Sequence, residues 1–103
     1  MFIARKQSKG KGQNTNTWHS PTGNIYLTLL TKQPITIIPQ LIPTISVCIA
    51  ETLEETLELS ETVQIKWVND MLVGGKKISG ILIKSDGYDD KIVLQIGIGI
   101  NVN

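Results

Sequence analysis

The stretch that most narrows the fold lies near the end of the chain, Lys91–Val102, KIVLQIGIGINV. Apolar residues occupy every second position: Ile92, Leu94, Ile96, Ile98 and Ile100. Successive side chains of a strand point to opposite faces, so these residues share one face. The opposite face then carries Val93, Gln95, Gly97, Gly99 and Asn101. Glycine weakens a strand interior, and two glycines on one face need a reason. Two reasons stay open. One is close backbone packing, against a helix or at a bulge. The other is a flat floor on which a planar ligand lies, with Asn101 offering a donor and an acceptor at its edge.

The rest of the chain supplies partners for that strand. Met1–Arg5 reads as a short strand, and Lys6–Thr17 as a polar, glycine-containing loop. Ser20-Pro21-Thr22-Gly23 is a turn, followed by a strand over Asn24–Thr31. A long helix is expected from about Pro39 to Leu59, with Ile42, Ile45, Ile49, Leu53 and Leu57 as its apolar stripe. Glu51, Glu54, Glu55 and Glu58 form an acidic face. Pro39 and Pro43 fit only at or near the first turn, where a missing N–H matters little. Cys48, beside the stripe, reads as a small core filler. Val63–Trp67 is a short strand, and Met71–Val73 and Lys76–Lys84 form a hairpin across Gly74-Gly75. Ser85–Asp90 is a second turn. The pattern predicts an α+β fold: a mixed, mainly antiparallel sheet packed by one long helix, in a single domain over residues 1–103.

Composition excludes several classes. At 103 residues and a net charge of +1, no global field recruits nucleic acid or an anionic membrane. The single cysteine makes no internal disulfide, no Cys/His cluster suggests zinc, and a reducing cytoplasm is expected. The start MFIARKQSKGKG lacks the apolar run of a signal peptide, and no apolar stretch reads as a bilayer span. Both ends read as strand without a polar margin, so the chain is expected to be part of a larger domain.

Chemistry must therefore be local. In Ser8–Trp18, SKGKGQNTNTW, the glycines around Lys11 leave backbone N–H groups able to form an anion-binding concavity, although neither common phosphate-loop spacing is met. A mobile loop explains the same residues. Asn69-Asp70 at a strand end offers an amide for a nucleotide edge and a carboxylate for magnesium; a plain Asn-Asp turn is the competing reading. Lys66 alternates with Ile65 and Trp67, and its face is solvent or pocket. His19 has no partner nearby, and Ser20 and Cys48 show no triad signature.

The order of these blocks carries more than each alone. Gln7, Gly10, Gly12, Trp18, Ser20-Pro21, Gly23-Asn24-Ile25-Tyr26, then Lys66-Trp67-Val68-Asn69-Asp70, Lys76 to Leu82, and Ile96 to Val102 resemble the catalytic domain of the biotin protein ligases over essentially the whole chain. The resemblance implies an enzyme that joins biotin to ATP as biotinyl-5′-AMP. It then passes the biotinyl group to a lysine of a biotin carboxyl carrier protein domain. It further implies Mg²⁺ as cofactor, frequent homodimerisation, and a glycine loop that orders only over the adenylate. Position by position, Gln7 would bind biotin; Gly10, Lys11, Gly12 and Gln13 are loop positions that close on the ligand; Trp18 and Gly80 belong to the substrate site; Lys77 lies near the reacting centre; and Asn69 and Asn101 lie at the nucleotide. Lys66 joins Lys77 as a catalytic candidate, and Asp70 is the candidate metal ligand. A carboxylate attacking a phosphate needs positioning and cations more than a general base, which suits lysines and backbone N–H groups.

The sequence departs from the family at the loop. Many bacterial members read Gly-Arg-Gly-Arg-Arg-Gly-Arg where this chain has Gly10-Lys11-Gly12-Gln13-Asn14-Thr15-Asn16. Lysine lacks the bidentate guanidinium fork, and losing a charge against reacting groups removes ~2–4 kcal/mol of transition-state stabilisation where the site is desolvated. Val68 stands where the family usually has proline. The family's upstream Ser-Thr-Asn biotin motif, its downstream helices and β-barrel, and the DNA-binding helix-turn-helix of its repressor members are not in this sequence. An incomplete relative that binds biotin, nucleotide or another subunit without turnover is the alternative. A lipoyl or octanoyl transferase is a rival on the same scaffold.

Overall fold

The structure is a computed structural model that describes residues 1–14, 16–59, 61–67, 69–88 and 91–102. Its strands are β1 (Phe2–Ala4), β2 (Ile25–Pro34), β3 (Gln64–Lys66), β4 (Asp70–Val73), β5 (Lys76–Tyr88) and β6 (Lys91–Ile100). A 3₁₀ turn over Ile35–Ile37 leads into the single long helix, α1 (Ile38–Leu57). The strands form one six-stranded sheet in the order β1-β2-β6-β5-β4-β3. Every pairing is antiparallel. The α+β expectation therefore holds, with the wholly antiparallel form of the sheet.

β6 sits between β2 and β5, paired with β2 from Ile25↔Ile100 to Pro34↔Lys91 and with β5 from Ser79↔Ile100 to Tyr88↔Lys91. Its apolar face is the core. Ile92, Leu94, Ile96 and Ile98 are buried there with Ile81, Met71, Val63, Ala50 and Leu53. Leu94 and Met71 have no exposed surface, and removing such a side chain from water contributes about 1.5–3 kcal/mol. α1 covers this face only. Close packing against the helix therefore does not explain Gly97 and Gly99, which lie on the other side.

Several boundaries and faces differ from the sequence reading. Pro43 is not in the first turn of α1; it lies inside the helix, while Pro39 takes the tolerated early position. Its missing N–H leaves the carbonyl four residues back without a helical donor, yet packing carries the helix on to Leu57. Glu58 then caps it in the left-handed region, with φ 47° and ψ 47°, so the helix ends at Leu57, two residues before the expected Leu59. Of the expected stripe, Ile45, Ile49 and Leu53 pack against the core, joined there by Ile38, Leu41, Ser46 and Ala50, and Leu57 is exposed. Cys48 is exposed rather than a core filler. The segment Ile35–Leu57 is, contrary to expectation, long and apolar enough to cross a membrane by length and composition; here it lies against the sheet.

The expected turn over Ser85–Asp90 is largely strand: Ser85, Asp86, Gly87 and Tyr88 stay paired with Leu94, Val93, Ile92 and Lys91. Asp89 and Asp90 lie outside the described residues. Cross-strand hydrogen bonds need no apolar side chains, so a polar composition concealed the strand. Gly74-Gly75 is the tight turn expected, with φ 57° and 77°, both in the region that β-hairpin turns of this length require. β4 and β5 then pair through an irregularity. Met71 opposes Ser79 but Leu72 opposes Lys77, so Ile78 is the extra residue of a β-bulge.

Candidate active site

The glycine face of the sheet is the floor of a cavity of about 380 Å³. Along β5 and β6, three facing pairs run down that floor: Gly80↔Gly99, Leu82↔Gly97 and Lys84↔Gln95. A side-chain atom placed on Gly97 would meet nothing closer than the Leu82 carbonyl oxygen at 3.5 Å, so the middle of the floor is open. Gly99 differs. An added Cβ would lie 2.6–2.8 Å from the Trp18 indole, and one on Gly80 would lie 3.2 Å from Lys77 Cε and 3.4 Å from Trp18 Cζ3. The planar group resting on Gly99 is therefore the protein's own indole, and the glycines are what admit it.

The glycine loop folds back as a small hairpin above this floor. The Trp18 N–H donates to the Gly10 carbonyl at 3.0 Å, Gly12 N–H to Asn16 O at 2.8 Å, and Asn16 N–H to Gln13 O at 3.1 Å. Lys11 bridges Thr17, and Asn14 takes the positive φ of 58° that the turn requires. Thr15 lies outside the described residues. The resemblance implies a loop that orders on the adenylate; here three backbone hydrogen bonds join its residues. Its base is tied to the sheet, since Gln7 N–H donates to Ser20 O at 3.2 Å and Ser20 Oγ lies 2.7 Å from Gln7 Oε1. Gly10 is buried at this junction, where an added Cβ would lie 2.5 Å from Ser20 Oγ and 2.9 Å from Gln7 Oε1. Gly10 shapes the loop from beneath and does not line the cavity.

At one end of the floor Lys77 Nζ forms an ion pair with Asp70 Oδ1 at 2.9 Å and sits 5.1 Å from the Trp18 ring centroid. Asn69 is buried beside them; its Nδ2 donates to Ile81 O at 3.0 Å, and Ile81 N–H donates back to Asn69 O at 3.0 Å. That reciprocal pair locks the start of β4 onto β5. Trp18 Nε1 is buried and has no hydrogen-bond partner.

Of the residues expected in the site, the structure brings together Gln7, Lys11, Gly12, Gln13, Trp18, Asn69, Asp70, Lys77 and Gly80 around one cavity. Lys66 does not line it; it is exposed on β3, at the edge of the sheet. Asn101 does not line it either, and its backbone N–H donates to Ile78 O, the carbonyl of the bulge, at 2.7 Å. Lys9, Thr28, Leu82, Lys84 and Gln95 also line the cavity. Gln95 was within reach, since it shares the alternation of Gly97 and Gly99. Thr28 and Lys84 needed the strand pairing.

The electrostatics are local, as the net charge of +1 requires. Lys9, Lys11, Lys77 and Lys84 line the cavity against one carboxylate, Asp70. Clefts lined by one sign of charge concentrate the opposite ion. The same donor set does not suit a resident Mg²⁺: Asp70 already carries Lys77, and among the described residues no cluster of His, Cys, Asp or Glu could hold a metal. A cavity lined by four lysines over a floor of Gly80, Leu82, Gly97 and Gly99 thus suits an anionic ligand.

The chain is 36% identical to the bifunctional ligase/repressor BirA of Bacillus subtilis over all of its own length and 32% of that protein. It is 34% identical to the human biotin–protein ligase, spanning 15% of it. It thus spans a third or less of these curated relatives. Among solved structures it resembles the biotin protein ligase of Leishmania major in complex with biotinyl-5-AMP, with a TM-score of 0.83 and 34% identity over 97% of this chain and 45% of that one. It also resembles the Aquifex aeolicus ligase in complex with biotin and ATP, with a TM-score of 0.72 and 32% identity over 98% of this chain and 41% of that one. The family match runs over residues 1–103, and the chain belongs to the biotin/lipoate A/B protein ligase family.

Proposed function

We propose that this chain forms part of the active site of an ATP-dependent biotin protein ligase. The observation that carries the reading is the cationic glycine-floored trench, in a fold similar to that of a ligase holding biotinyl-5-AMP. In the first step a biotin carboxylate oxygen attacks the α-phosphorus of ATP, the bond to the bridging oxygen breaks, and pyrophosphate leaves. Lys77, at the Gly80/Gly99 end, offsets the charge that builds on the carboxylate and phosphate oxygens. Gln7 and the Lys11–Gln13 loop close over the ligand and keep water from the mixed anhydride. In the second step the amine of a carrier-protein lysine attacks the acyl carbon, loses a proton and releases AMP. Mg²⁺ enters with the phosphates of ATP, as part of the co-substrate. We place the reaction in the cytoplasm, in keeping with an unpaired, exposed Cys48.

The test is biotin-dependent pyrophosphate release and labelling of a biotin carrier domain with ATP and Mg²⁺. Labelling by lipoate in place of biotin would reject the reading. One observation favours a second reading, a biotin- or nucleotide-binding module without turnover: Lys11 is the only cation between Gly10 and Trp18. Saturable biotin binding without pyrophosphate release would select it.

A further inference from the structure

Simple alternation places Lys77 on the wrong side of the sheet. On β5, Ser79 and Ile81 are buried on the core side, and Gly80, Leu82 and Lys84 line the cavity. Extended back without interruption, that period points Lys77 into the core. The bulge at Ile78 changes the phase. Asp70 opposes Gly80, Met71 opposes Ser79, and Leu72 opposes Lys77, so Asp70, Leu72 and Lys77 share the cavity face. The bulge is held in place by Asn101 N–H donating to its carbonyl at 2.7 Å.

Re-aiming the backbone does not by itself fix the end of a four-carbon side chain. Two further contacts do. Asp70 Oδ1 holds Nζ at 2.9 Å, and the Trp18 indole backs the ammonium at 5.1 Å. Gly80 leaves the space in which Lys77 Cε lies. Asp70 is itself fixed between Lys66 and Gly80 by backbone pairing on both sides.

We propose that Asp70 is a positioning residue for Lys77, and that the carboxylate, the indole and the Ile78 bulge together hold one ammonium at the acyl-phosphate end of the trench. The ion pair and the bulge stand on geometry alone; their consequence for turnover rests on the ligase reading. An ammonium has three donors, so Lys77 keeps contacts for a ligand while Asp70 holds it.

Trp18 and Trp67 are the only tryptophans of the chain, so a Trp67→Phe background isolates the Trp18 emission. In that background Asp70→Asn and Lys77→Met are expected to change the emission alike, the double variant to go no further, and Asp70→Glu to restore it. Additive changes, or an unaltered spectrum in Asp70→Asn, would overturn the proposal. In pyrophosphate release, Asp70→Asn is expected to lower kcat about 100-fold, as misplacement of a reacting-centre group by about 1 Å does, with KM for biotin within about twofold. A defect confined to KM for ATP and reversed by added Mg²⁺ would instead make Asp70 a metal-site residue and overturn the proposal. If the native chain releases no pyrophosphate, the ligase reading fails, and the emission cycle still decides whether Asp70 holds Lys77.

Discussion

The two faces of β6 are built from alternate residues of one strand, and they do opposite things with volume. On one face Ile92, Leu94, Ile96 and Ile98 fill space against α1. On the other, Gly97 and Gly99 remove it, admitting an indole at Gly99 and leaving Gly97 open. Sheet stability and ligand access thus come from the same backbone, separated by a period of two. The lesson is that a glycine in a strand is read only with its face: opposite a filled core it marks the side where something other than the core must come close.

Substitutions break this comparison in graded steps. The largest structural effect is expected at Leu94→Ala, which leaves a cavity in the filled face and destabilises by about 2–5 kcal/mol, read by urea denaturation. Gly99→Val is expected to act on the opposite face. Its side chain displaces the Trp18 indole and with it the support of Lys77, lowering biotinyl-adenylate formation about 100-fold. A Gly99→Val protein with native turnover would show that the indole contact is dispensable. Gly97→Ala meets nothing closer than the Leu82 carbonyl oxygen at 3.5 Å, so stability is expected to be retained. Biotin affinity, measured by calorimetry, falls about tenfold if the ligand lies on that floor, since a single overpacked methyl costs about 1–3 kcal/mol. Lys66→Ala, on the exposed edge strand, is expected to leave kcat unchanged; a tenfold loss would return Lys66 to the site.

Much of this plan is legible in the sequence alone. The alternation in Lys91–Val102 named both faces of the central strand, and Gly74-Gly75 named its turn, because local backbone preference and side-chain period are written in adjacent residues. The helix is legible in length and in the middle of its packed face, where Ile45, Ile49 and Leu53 meet the sheet. Its edges are not: the sheet adds Ser46 and Ala50 and leaves Leu57 exposed, because apolar residues are numerous enough to suit neighbouring stripes. In the site, Gln7, Lys11, Gly12 and Trp18 were legible through the order of the motifs. Lys84 and Thr28 were not, because they join the cavity only through pairing of β5 and β2 with β6.

What the sequence by itself determined is the inventory: a central strand with a full and an empty face, a polar glycine loop, and lysines without a net field. What only the tertiary structure decided is direction. The Ile78 bulge turns Lys77 from the core to the cavity, and Asp70 meets it at 2.9 Å. A bulge is a mismatch between two strands, so neither strand's own sequence announces it. The indole on Gly99 likewise joins residues 18 and 99, far apart along the chain and brought together by the pairing of the sheet.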